Sequence, residues 1–413
     1  MVSSKDKKFR IFLINQFFPP DFAPTGQLLD DLSKRICSQK LLIHIFTGYP
    51  KYAFKNKKIL NKIEKYRKIY RTKFNQIWPF KIGSKFIGGI LFSIRAFNHL
   101  ALKLKKNDIV IYTSEPAYLP LFGWFLSLIR RHKYIVIIYD LYPDVLTNLK
   151  VLSHKNPLII FWKNLNKLCY QRAKNIVVLS DPMKNKLNSN IRNINSKIRV
   201  IPSWVDPEFI KPIPKSENWF IEKHNLKSKF VVLYSGNQGR CHDLMTIMNT
   251  AKKLLNESNI VFLFIGDGAQ NTKLRDYACK YNLKNCKFLP YQNFEDTPFS
   301  LTAADLACIS LNKNASDIVA PSKLYGHLAA GSPIAAISSK NSYLAELVLN
   351  KGFGKHFENG SCDELSSWIL ELNNPKFNTK IYRETAREYI KSNASPKVVT
   401  GKYLDAIFEN IYS

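Results

Sequence analysis

Two glycine-containing segments each follow an apolar run in the second half of the sequence. Ser235–Arg240 follows Val231–Tyr234, and Gly266–Gly268 follows Phe262–Ile265. Glycine at a strand-to-helix turn lets backbone N–H groups approach phosphates, and the helix dipole adds to their attraction. The guanidinium of Arg240 can contact a diphosphate through two hydrogen bonds. The first segment therefore predicts a phosphate-binding loop, with an ordinary βα turn as the alternative.

The second segment resembles part of a dinucleotide fingerprint, but Asn271 stands where the third glycine belongs. It predicts a plain tight turn, or a turn near a base or ribose.

A basic residue stands at the start of a predicted helix further along the chain. Pro321 and Ser322 are typical of a helix start, and Gly331 of its end. Lys323 then falls in the first turn, where a cation opposes the helix dipole. This placement favours an anionic partner; an exposed lysine in a lysine-rich protein is the alternative.

Loops that carry polar residues and proline also follow the strand candidates of the first half. In open α/β sheets, ligands bind outside the carboxyl ends of the strands, which is where these loops are predicted. Together they predict a binding cleft. The loops are Phe17–Gln27, Thr47–Pro50, Ser114–Pro116 and Asp140–Asp144.

These segments need a scaffold, and the sequence supplies one by alternating apolar runs with amphipathic stretches. The pattern predicts parallel sheets with crossover helices, in two doubly wound halves separated by the proline-rich segment 201–214. The predicted strands are Arg10–Asn15, Leu42–Phe46, Asp108–Tyr112, Tyr134–Tyr139, Asn175–Leu179, Phe230–Tyr234, Val261–Ile265, Cys286–Leu289, Leu306–Ser310 and Pro333–Ile337.

The composition is that of a folded protein with a large positive charge. The 413 residues include 62 Lys+Arg against 31 Asp+Glu, a formal net charge of +31. This excess favours polyanionic partners, either nucleic acid or an anionic membrane; a codon bias toward lysine is the alternative. The seven cysteines show no CxxC spacing and predict reduced thiols in the cytoplasm. Neither a signal peptide nor an uninterrupted apolar run of about 18 residues is found.

Two stretches of the first half could contact a membrane surface. Phe80–Leu104 and Tyr118–Lys133 mix aromatic and aliphatic residues with lysine and arginine in a helical pattern. Basic amphipathic helices of this kind lie in the interface of anionic lipids. Internal packing with solvated lysines is the alternative.

With these residues in place, the sequence resembles glycosyltransferase family four, and in particular its bacterial exopolysaccharide and O-antigen branch. That branch includes colanic acid and N-acetylfucosamine transferases. The resemblance covers nearly the whole chain and is carried by the segments NQFFPPDFAPTG, IYDLYPD, IPSWVDP, YSGNQGR, FIGDG and PSKLYGHLAAGSPI.

The resemblance implies the GT-B architecture, which has two Rossmann-like doubly wound α/β domains that face a central cleft. Residues 1–205 would form the acceptor-binding domain, with membrane-facing helices. Residues 206–381 would bind the nucleotide sugar, and the helices of 382–413 would cross back to the first domain.

Site residues follow from the resemblance by position. Arg240 and Lys323 would bind the donor diphosphate, and Asp140 would lie near the transferred sugar, so these three are the candidate catalytic residues. Gly26 would approach the phosphates, and Gly266 and Asp267 the base. The candidate substrate-binding set also includes Thr25, Gln27, Ser114, Asp144, Gly236, Asn237, Gly239, Tyr291, Pro321, Ser322, Leu324, Tyr325 and Glu346.

The sequence departs from the family pattern at two places. Many members carry two glutamates separated by seven residues; here the second position is Gly326 and the first falls near Ile318. The histidine that often precedes the acidic residue of the first domain is Tyr139.

The resemblance implies a retaining glycosyltransferase that needs no metal and no cofactor. A nucleotide-diphosphate sugar, with uridine as the expected base, would donate to a lipid-linked or oligosaccharide acceptor in cell-surface polysaccharide or lipopolysaccharide synthesis. We expect the protein to be cytoplasmic and peripheral at the inner face of the cell membrane. The alternatives are a nucleotide-sugar epimerase on the same fold, a binding-only homologue and a basic nucleic-acid-binding protein; only the net charge suggests the last of these, and we expect no specific nucleic acid partner.

Overall fold

The computed structural model describes residues 9–21, 23–49, 63–72, 82–316 and 318–409. The chain forms two compact units: Met1–Pro202 with Val399–Ser413, and Ser203–Val398. Phe22 and Pro50 of the predicted loops, and the start of the amphipathic stretch at Phe80, lie outside the described residues.

The described part of the first unit contains an eight-stranded sheet in the order β3-β4-β2-β1-β5-β6-β7-β8. All its pairings are parallel except that of β3 with β4. The strands are β1 Phe9–Ile14, β2 Leu41–Gly48, β3 Ile63–Glu64, β4 Arg67–Thr72, β5 Ile109–Thr113, β6 Lys133–Ile138, β7 Asn175–Val178 and β8 Ile198–Val200. The helices are α1 Pro24–Ile36, α2 Ile82–Lys103, α3 Leu119–Arg130, α4 Asp144–Asn148, α5 Pro157–Arg172 and α6 Asp181–Asn190.

The second unit contains a six-stranded parallel sheet in the order β11-β10-β9-β12-β13-β14. Its strands are β9 Phe230–Ser235, β10 Ile260–Ile265, β11 Cys286–Leu289, β12 Leu306–Ser310, β13 Ile334–Ile337 and β14 Gly354–Phe357. Its helices are α7 Trp219–Lys223, α8 Met245–Lys253, α9 Asn271–Lys280, α10 Thr297–Thr302, α11 Lys323–Ala330, α12 Tyr343–Lys351, α13 Cys362–Asn373 and α14 Lys380–Asn393.

Helices cover both faces of the second sheet. Val231 and Leu233 of β9 enter one apolar cluster, whereas Val232 and Tyr234 enter another. Alternate side chains of a strand point to opposite faces, so each cluster is a separate layer of core. A parallel sheet buried in this way explains why its strands read as continuous apolar runs.

Each sheet has one point at which the strand order reverses. In the first sheet β1 lies between β2 and β5, and in the second β9 lies between β10 and β12. At such a point the loops that follow two adjacent strands, β1 and β5 or β9 and β12, lead to opposite faces of the sheet. This leaves a crevice at the carboxyl ends of the two strands. The loops that follow β1, β5 and β9 are among those selected from the sequence.

The C-terminal boundary differs from the expected one. Helices from residue 382 onward were expected to pack on the first unit, but α14 belongs to the second, where Ala386 and Ile390 enter the core. Arg387 fixes it there, because its Nη1 donates to the carbonyl oxygens of Pro207, Ile210 and Ala329 at 3.0, 2.9 and 2.8 Å.

The chain returns to the first unit only with the last helix, α15 Pro396–Phe408. Tyr403 is buried there, Lys174 donates to the carbonyl of Ile407 at 3.3 Å, and Phe9 packs edge-on against Phe408. Within the described ranges, no helix is both long enough and apolar enough to cross a bilayer.

Candidate active site

The glycine loop after β9 rests on the loop after β10. The Gly236 N–H donates to the carbonyl of Ile265 at 2.9 Å, and the Gln238 N–H to that of Asp267, also at 2.9 Å. Gly266 has a φ of +120°, and a Cβ there would lie 2.3 Å from the carbonyl oxygen of Gly236. Only glycine permits this backbone conformation and this close approach. Two of the predicted site glycines, Gly236 and Gly266, are therefore in direct contact.

Side chains hold the second of these loops in place. Tyr291 donates through its hydroxyl to the carbonyl of Asp267 at 3.1 Å, so these two predicted residues lie together. The Asp267 carboxylate accepts the N–H of Gly268 at 2.7 Å. Gln270 donates from Nε2 to the carbonyls of Gly239 and His242, at 2.6 and 2.9 Å.

Lys323, the first residue of α11, reaches the glycine loop. Its Nζ donates to the hydroxyl oxygen of Tyr234 and to the carbonyl of Asn237 at 3.3 Å, and it lies 4.1 Å from the centre of the Tyr234 ring. Its alkyl chain passes Gly236, where a Cβ would be 3.4 Å from Cε. The lysine and the glycine loop, predicted separately, are therefore one cluster.

No carboxylate pairs with Lys323 among the described residues. Burial lowers its pKa to about 7. An ammonium surrounded by neutral groups gains a large stabilisation when an anion arrives, because the charge is already removed from water. The cluster can therefore bind an anion through Lys323.

A histidine that the sequence reading missed completes the cluster. His242 Nδ1 lies 2.7 Å from the carbonyl oxygen of Ser310, and its Nε2 lies 3.4 Å from Lys323 Nζ. Burial and the nearby lysine lower the pKa of His242 to about 3. The ring is therefore neutral near pH 7.

Three further predicted residues lie on the same loop. Asn237 and Arg240 are exposed, and Gly239 is half-buried. No ion pair or hydrogen bond from the described residues holds the guanidinium of Arg240. It is available to a ligand at the mouth of the loop.

The residues around Lys323 on α11 are structural in part. Leu324 and Tyr325 were predicted to contact substrate, but both side chains lie in the core, 0% and 2% exposed. The helical period turns them inward, so their side chains serve packing. Pro321 is buried and Ser322 half-buried at the helix start, and Ser322 makes no side-chain cap.

Gly326, at the position of the second glutamate of the family pattern, packs against α10. A Cβ on Gly326 would lie 2.9 Å from a methyl carbon of Leu301, so a larger residue there would require the Leu301 side chain to shift. The predicted Glu346 lies exposed in the first turn of α12. No contact joins Glu346 to the Lys323 cluster within the described residues.

In the first unit, the start of α1 packs tightly on the loop after β1. A Cβ on Gly26 would be 2.7 Å from the carbonyl oxygen of Phe17, which explains the glycine. Thr25 donates through its hydroxyl to the Glu115 carboxylate, across to the loop after β5. Gln27 is half-buried on the same turn.

Two carboxyl groups lie at the ends of the neighbouring strands β5 and β6. Burial raises the pKa of Asp140 to about 6. Burial and the charge of Asp140 raise the pKa of Glu115 to about 7, against the opposing bond from Thr25. No basic side chain pairs with either carboxyl among the described residues. The pair can therefore retain a proton near neutral pH.

Two other predicted residues of this edge are engaged within the protein. Ser114 accepts the N–H of Tyr139 at 3.0 Å through its hydroxyl and is 5% exposed. Asp144 forms a salt bridge of 2.9 Å with Lys163. Both contacts help to hold this edge of the first unit in place.

Sequence reasoning missed Tyr234, His242 and Glu115 as site residues. Tyr234 reads as the last apolar residue of its strand, and His242 as one of eight scattered histidines. For Glu115, its place in a loop at a strand end was a usable signal. In the described residues, no group of three or more His, Cys, Asp or Glu side chains could hold a metal ion.

Residues 216–392 match the family described as "Glycosyl transferases group 1". The chain is 25% identical over 264 residues to "Probable glycosyltransferase WbjE" of Pseudomonas aeruginosa, covering 64% of each chain. It is 29% identical over 182 residues to WcaI of Escherichia coli, provisionally named a colanic acid biosynthesis glycosyl transferase, covering 44% of this chain and 43% of WcaI. The matches thus span less than two thirds of either relative.

Solved structures agree over almost the whole chain. The protein is similar to Anabaena HepE, solved with UDP and glucose, with a TM-score of 0.71 and 14% identity over 97% of this chain and 100% of that one. It is also similar to WaaG, described as a glycosyltransferase involved in lipopolysaccharide biosynthesis, with a TM-score of 0.69 and 13% identity over 97% and 99%. The prediction of two Rossmann-like α/β domains of the GT-B class is confirmed.

Proposed function

Because residues 216–392 are a glycosyl transferases group 1 domain within a GT-B fold, we propose that this protein is a glycosyltransferase. It takes a sugar from a nucleoside diphosphate, with uridine as the base, and transfers it to a lipid-linked or glycan acceptor. The product belongs to cell-surface polysaccharide synthesis. The naming of WcaI for colanic acid biosynthesis and the UDP bound by HepE support these assignments.

One observation carries the proposal. The Lys323 ammonium lies against a glycine loop at the reversal point of the second sheet, and its partners there are neutral. A diphosphate would supply the missing negative charge, and Arg240 could hold its second phosphate through a bidentate contact. The carboxyl pair of the first unit, Asp140 with Glu115, would bind hydroxyl groups of the acceptor side.

The proposed chemistry is a front-face displacement with retention of configuration. The bond from the anomeric carbon to the β-phosphate oxygen breaks while the acceptor oxygen bonds to that carbon from the same face. The acceptor proton passes to the departing phosphate oxygen. Lys323 and Arg240 stabilise the charge that develops on the diphosphate, so the step requires no metal ion or cofactor.

A thermal-shift screen of UDP-, GDP- and dTDP-sugars tests the donor class. We expect a UDP-sugar at 100 times its Kd to raise the unfolding temperature of the second unit by about 5–10 °C, because ligand binding adds about 2.7 kcal/mol of stability at that concentration. GDP- and dTDP-sugars at the same concentration should give smaller shifts. Equal shifts for all three, or none, would contradict the assignment of uridine.

Incubation of the bound donor separates transfer from the alternative of epimerisation. Without acceptor, the transferase should leave the sugar unchanged apart from slow hydrolysis. With a lipid-diphosphate glycan acceptor, NMR should show a product with the donor's anomeric configuration. Isomerisation of the free nucleotide sugar would replace this proposal with an epimerase.

Because the proposed acceptor can be linked to a lipid, the proposal also includes contact of the protein with a membrane. Three helices of the first unit, α2, α3 and α5, pack side by side and expose apolar side chains. The stretches predicted from the sequence supply α2 and α3, and the structure adds α5. The exposed apolar residues of these helices are Phe86, Ile87, Ile94, Leu102, Phe125, Leu128, Ile129, Leu158, Ile160, Phe161 and Leu168.

Basic residues lie beside this apolar set. Arg130, Arg131 and Lys133 are exposed where α3 ends. Apolar side chains that enter the interface, next to cations that meet anionic headgroups, are the two contributions that hold peripheral proteins on lipid. We place the protein at the inner face of the cell membrane, held by this surface.

Introducing charge into the surface should release the protein from lipid. Leu158 and Phe161 are 71% and 61% exposed on α5. We expect the double variant Leu158→Glu/Phe161→Glu to bind anionic vesicles about tenfold more weakly in a sedimentation assay, because it loses apolar burial and gains repulsion.

Leu349 and Ile381 supply the matched control, because they are 54% and 64% exposed on α12 and α14 of the second unit. The double variant Leu349→Glu/Ile381→Glu adds the same charge and should sediment with the vesicles like the wild type. Equal loss in both variants would show that total charge, rather than the α5 surface, governs binding.

A further inference from the structure

We propose that His242 is a positioning residue, which holds the Lys323 ammonium at the glycine loop without neutralising it and so keeps that charge for an anionic ligand. The proposal rests on the proposed function only in naming the ligand as a nucleoside diphosphate. The contacts among His242, Lys323 and Ser310 carry it.

Among the described residues, three acceptors surround the Lys323 ammonium, and none of them is charged. They are the Tyr234 hydroxyl oxygen, the Asn237 carbonyl at 3.3 Å and the His242 Nε2 at 3.4 Å. An ammonium has three N–H donors, so the arrangement can satisfy its hydrogen bonds while its full charge remains. A carboxylate in place of the histidine would form an internal ion pair and compete with the ligand.

The tautomer of His242 is determined by its other contact. A carbonyl oxygen only accepts hydrogen bonds, so Nδ1, at 2.7 Å from the Ser310 oxygen, must carry the proton. Nε2 of a neutral ring then has a lone pair, and this lone pair faces Lys323. The backbone of β12 thus orients the ring, and the ring orients the lysine.

Titratable groups also lie around the Lys323 ammonium. Among the described residues they include Tyr234, Cys241 in the loop and His327 one turn along α11, and the charge interaction with Cys241 raises the pKa of Lys323 against the effect of burial. Burial raises the pKa of Tyr234 well above its ordinary value, and burial together with Lys323 lowers that of His327 to about 3. A cation whose hydrogen-bond acceptors are all neutral is strongly stabilised by an arriving diphosphate.

Two variants of His242 separate positioning from simple anchoring. The side-chain amide of asparagine reaches the place of Nδ1, so His242→Asn can keep the bond to Ser310 but offers nothing to Lys323. The longer side chain in His242→Gln reaches the place of Nε2, so its oxygen can still accept from Lys323.

We expect His242→Asn to weaken UDP binding about tenfold in calorimetry at pH 8, and His242→Gln to stay within about threefold of the wild type. The reverse order would overturn the proposal, since it would show that His242 only anchors its own loop to β12. If the asparagine variant is unstable, His242→Ala with added imidazole replaces it. Recovery of UDP affinity on addition of imidazole supports positioning, and failure to recover contradicts it.

A second readout needs no nucleotide. The pKa of Lys323 can be followed in the free protein by ¹³C NMR of labelled lysine, with the signal assigned by its absence in Lys323→Arg. Loss of an acceptor destabilises the ammonium, so His242→Asn should lower that pKa by about one unit and His242→Gln should leave it in place. An unchanged pKa in both variants would overturn the proposal. If His242→Asn lowers the pKa of Lys323 as expected but the wild-type protein does not bind UDP, the positioning role of His242 is supported and the proposed donor is refuted.

Discussion

Replacing Lys323 with methionine is expected to weaken UDP binding at least about hundredfold while the second unit stays folded. The ammonium contacts the glycine loop through Tyr234 and Asn237, and its charge has no carboxylate partner in the described part of the chain. Methionine fills a similar volume but brings no charge, so a bound diphosphate would lose its charge-assisted bond in a partly buried site. Calorimetric titration with UDP measures the loss.

A stability measurement distinguishes a specific loss of UDP binding from unfolding, because Lys323→Met is expected to stabilise the fold and not to destabilise it. The pKa of Lys323 is lowered from its ordinary value of 10.5 to about 7. The unfolded chain therefore holds this proton up to a higher pH than the folded protein, which means that protonated Lys323 destabilises the fold. That cost is fully present below pH 7 and is relieved as the pH rises from 7 toward 10.5.

Lys323→Met removes the cost, so at pH 7 the variant should melt at the same temperature as the wild type or a few degrees higher. Lys273, exposed on α9, is the matched control; Lys273→Met should change neither binding nor stability. A Lys323→Met protein that melts lower, or that binds UDP normally, would refute the assignment.

The same pKa predicts how donor binding depends on pH in the wild-type protein. A diphosphate favours the protonated lysine, so above pH 7 binding takes up a proton and the affinity falls as the pH rises. Buffers of different ionisation enthalpy reveal this uptake in calorimetry.

Gly266→Ala is expected to destabilise the second unit by roughly 2–4 kcal/mol and to abolish UDP binding. The backbone there has a φ of +120°, and the new Cβ would lie 2.3 Å from the carbonyl oxygen of Gly236. Both the strained conformation and the displaced loop contribute, because a backbone atom cannot rotate away as a side chain can. Denaturant unfolding and calorimetry measure the two effects.

A substitution at Gly352 distinguishes the cost of backbone strain from the cost of the contact with Gly236. It also has a positive φ, +72°, but a Cβ there would meet no atom within 4 Å. Gly352→Ala should therefore cost only about 1 kcal/mol and leave UDP binding intact. Equal costs at the two positions would show that the contact with Gly236 contributes nothing.

The sequence was most informative where burial is simplest. All ten predicted strands are present, with ends that differ by at most two residues, because strands covered on both faces read as apolar runs. β4 was missed because it carries Arg67, which is buried and pairs with Asp30 and Glu64. A buried charge satisfied by partners from other elements leaves no periodic signal in its own strand.

The candidate site likewise contains residues that the sequence predicts and residues that it does not. The glycines and Lys323 could be predicted from the sequence because neighbouring residues alone mark the turns and the helix start in which they lie. The inward orientation of Leu324 and Tyr325 could not be predicted before the position of α11 in the fold was known. His242 and Tyr234 meet Lys323 across more than 80 residues of sequence. Only the pairing of β9 with β12 brings such residues together.

The late return of α15 to the first unit affects the order in which the chain can fold during synthesis. Topologically, the second unit is an insertion within the first, with one passage of the chain near residue 202 and another near 399. All of the second unit leaves the ribosome before the part of α15 that belongs to the first unit, which begins at Val399, so the second unit can close on itself while the protein is still being made. The first unit is begun earlier but is completed only after the second has emerged, because the α15 residues that pack on β1 and β7 follow the second unit in the chain.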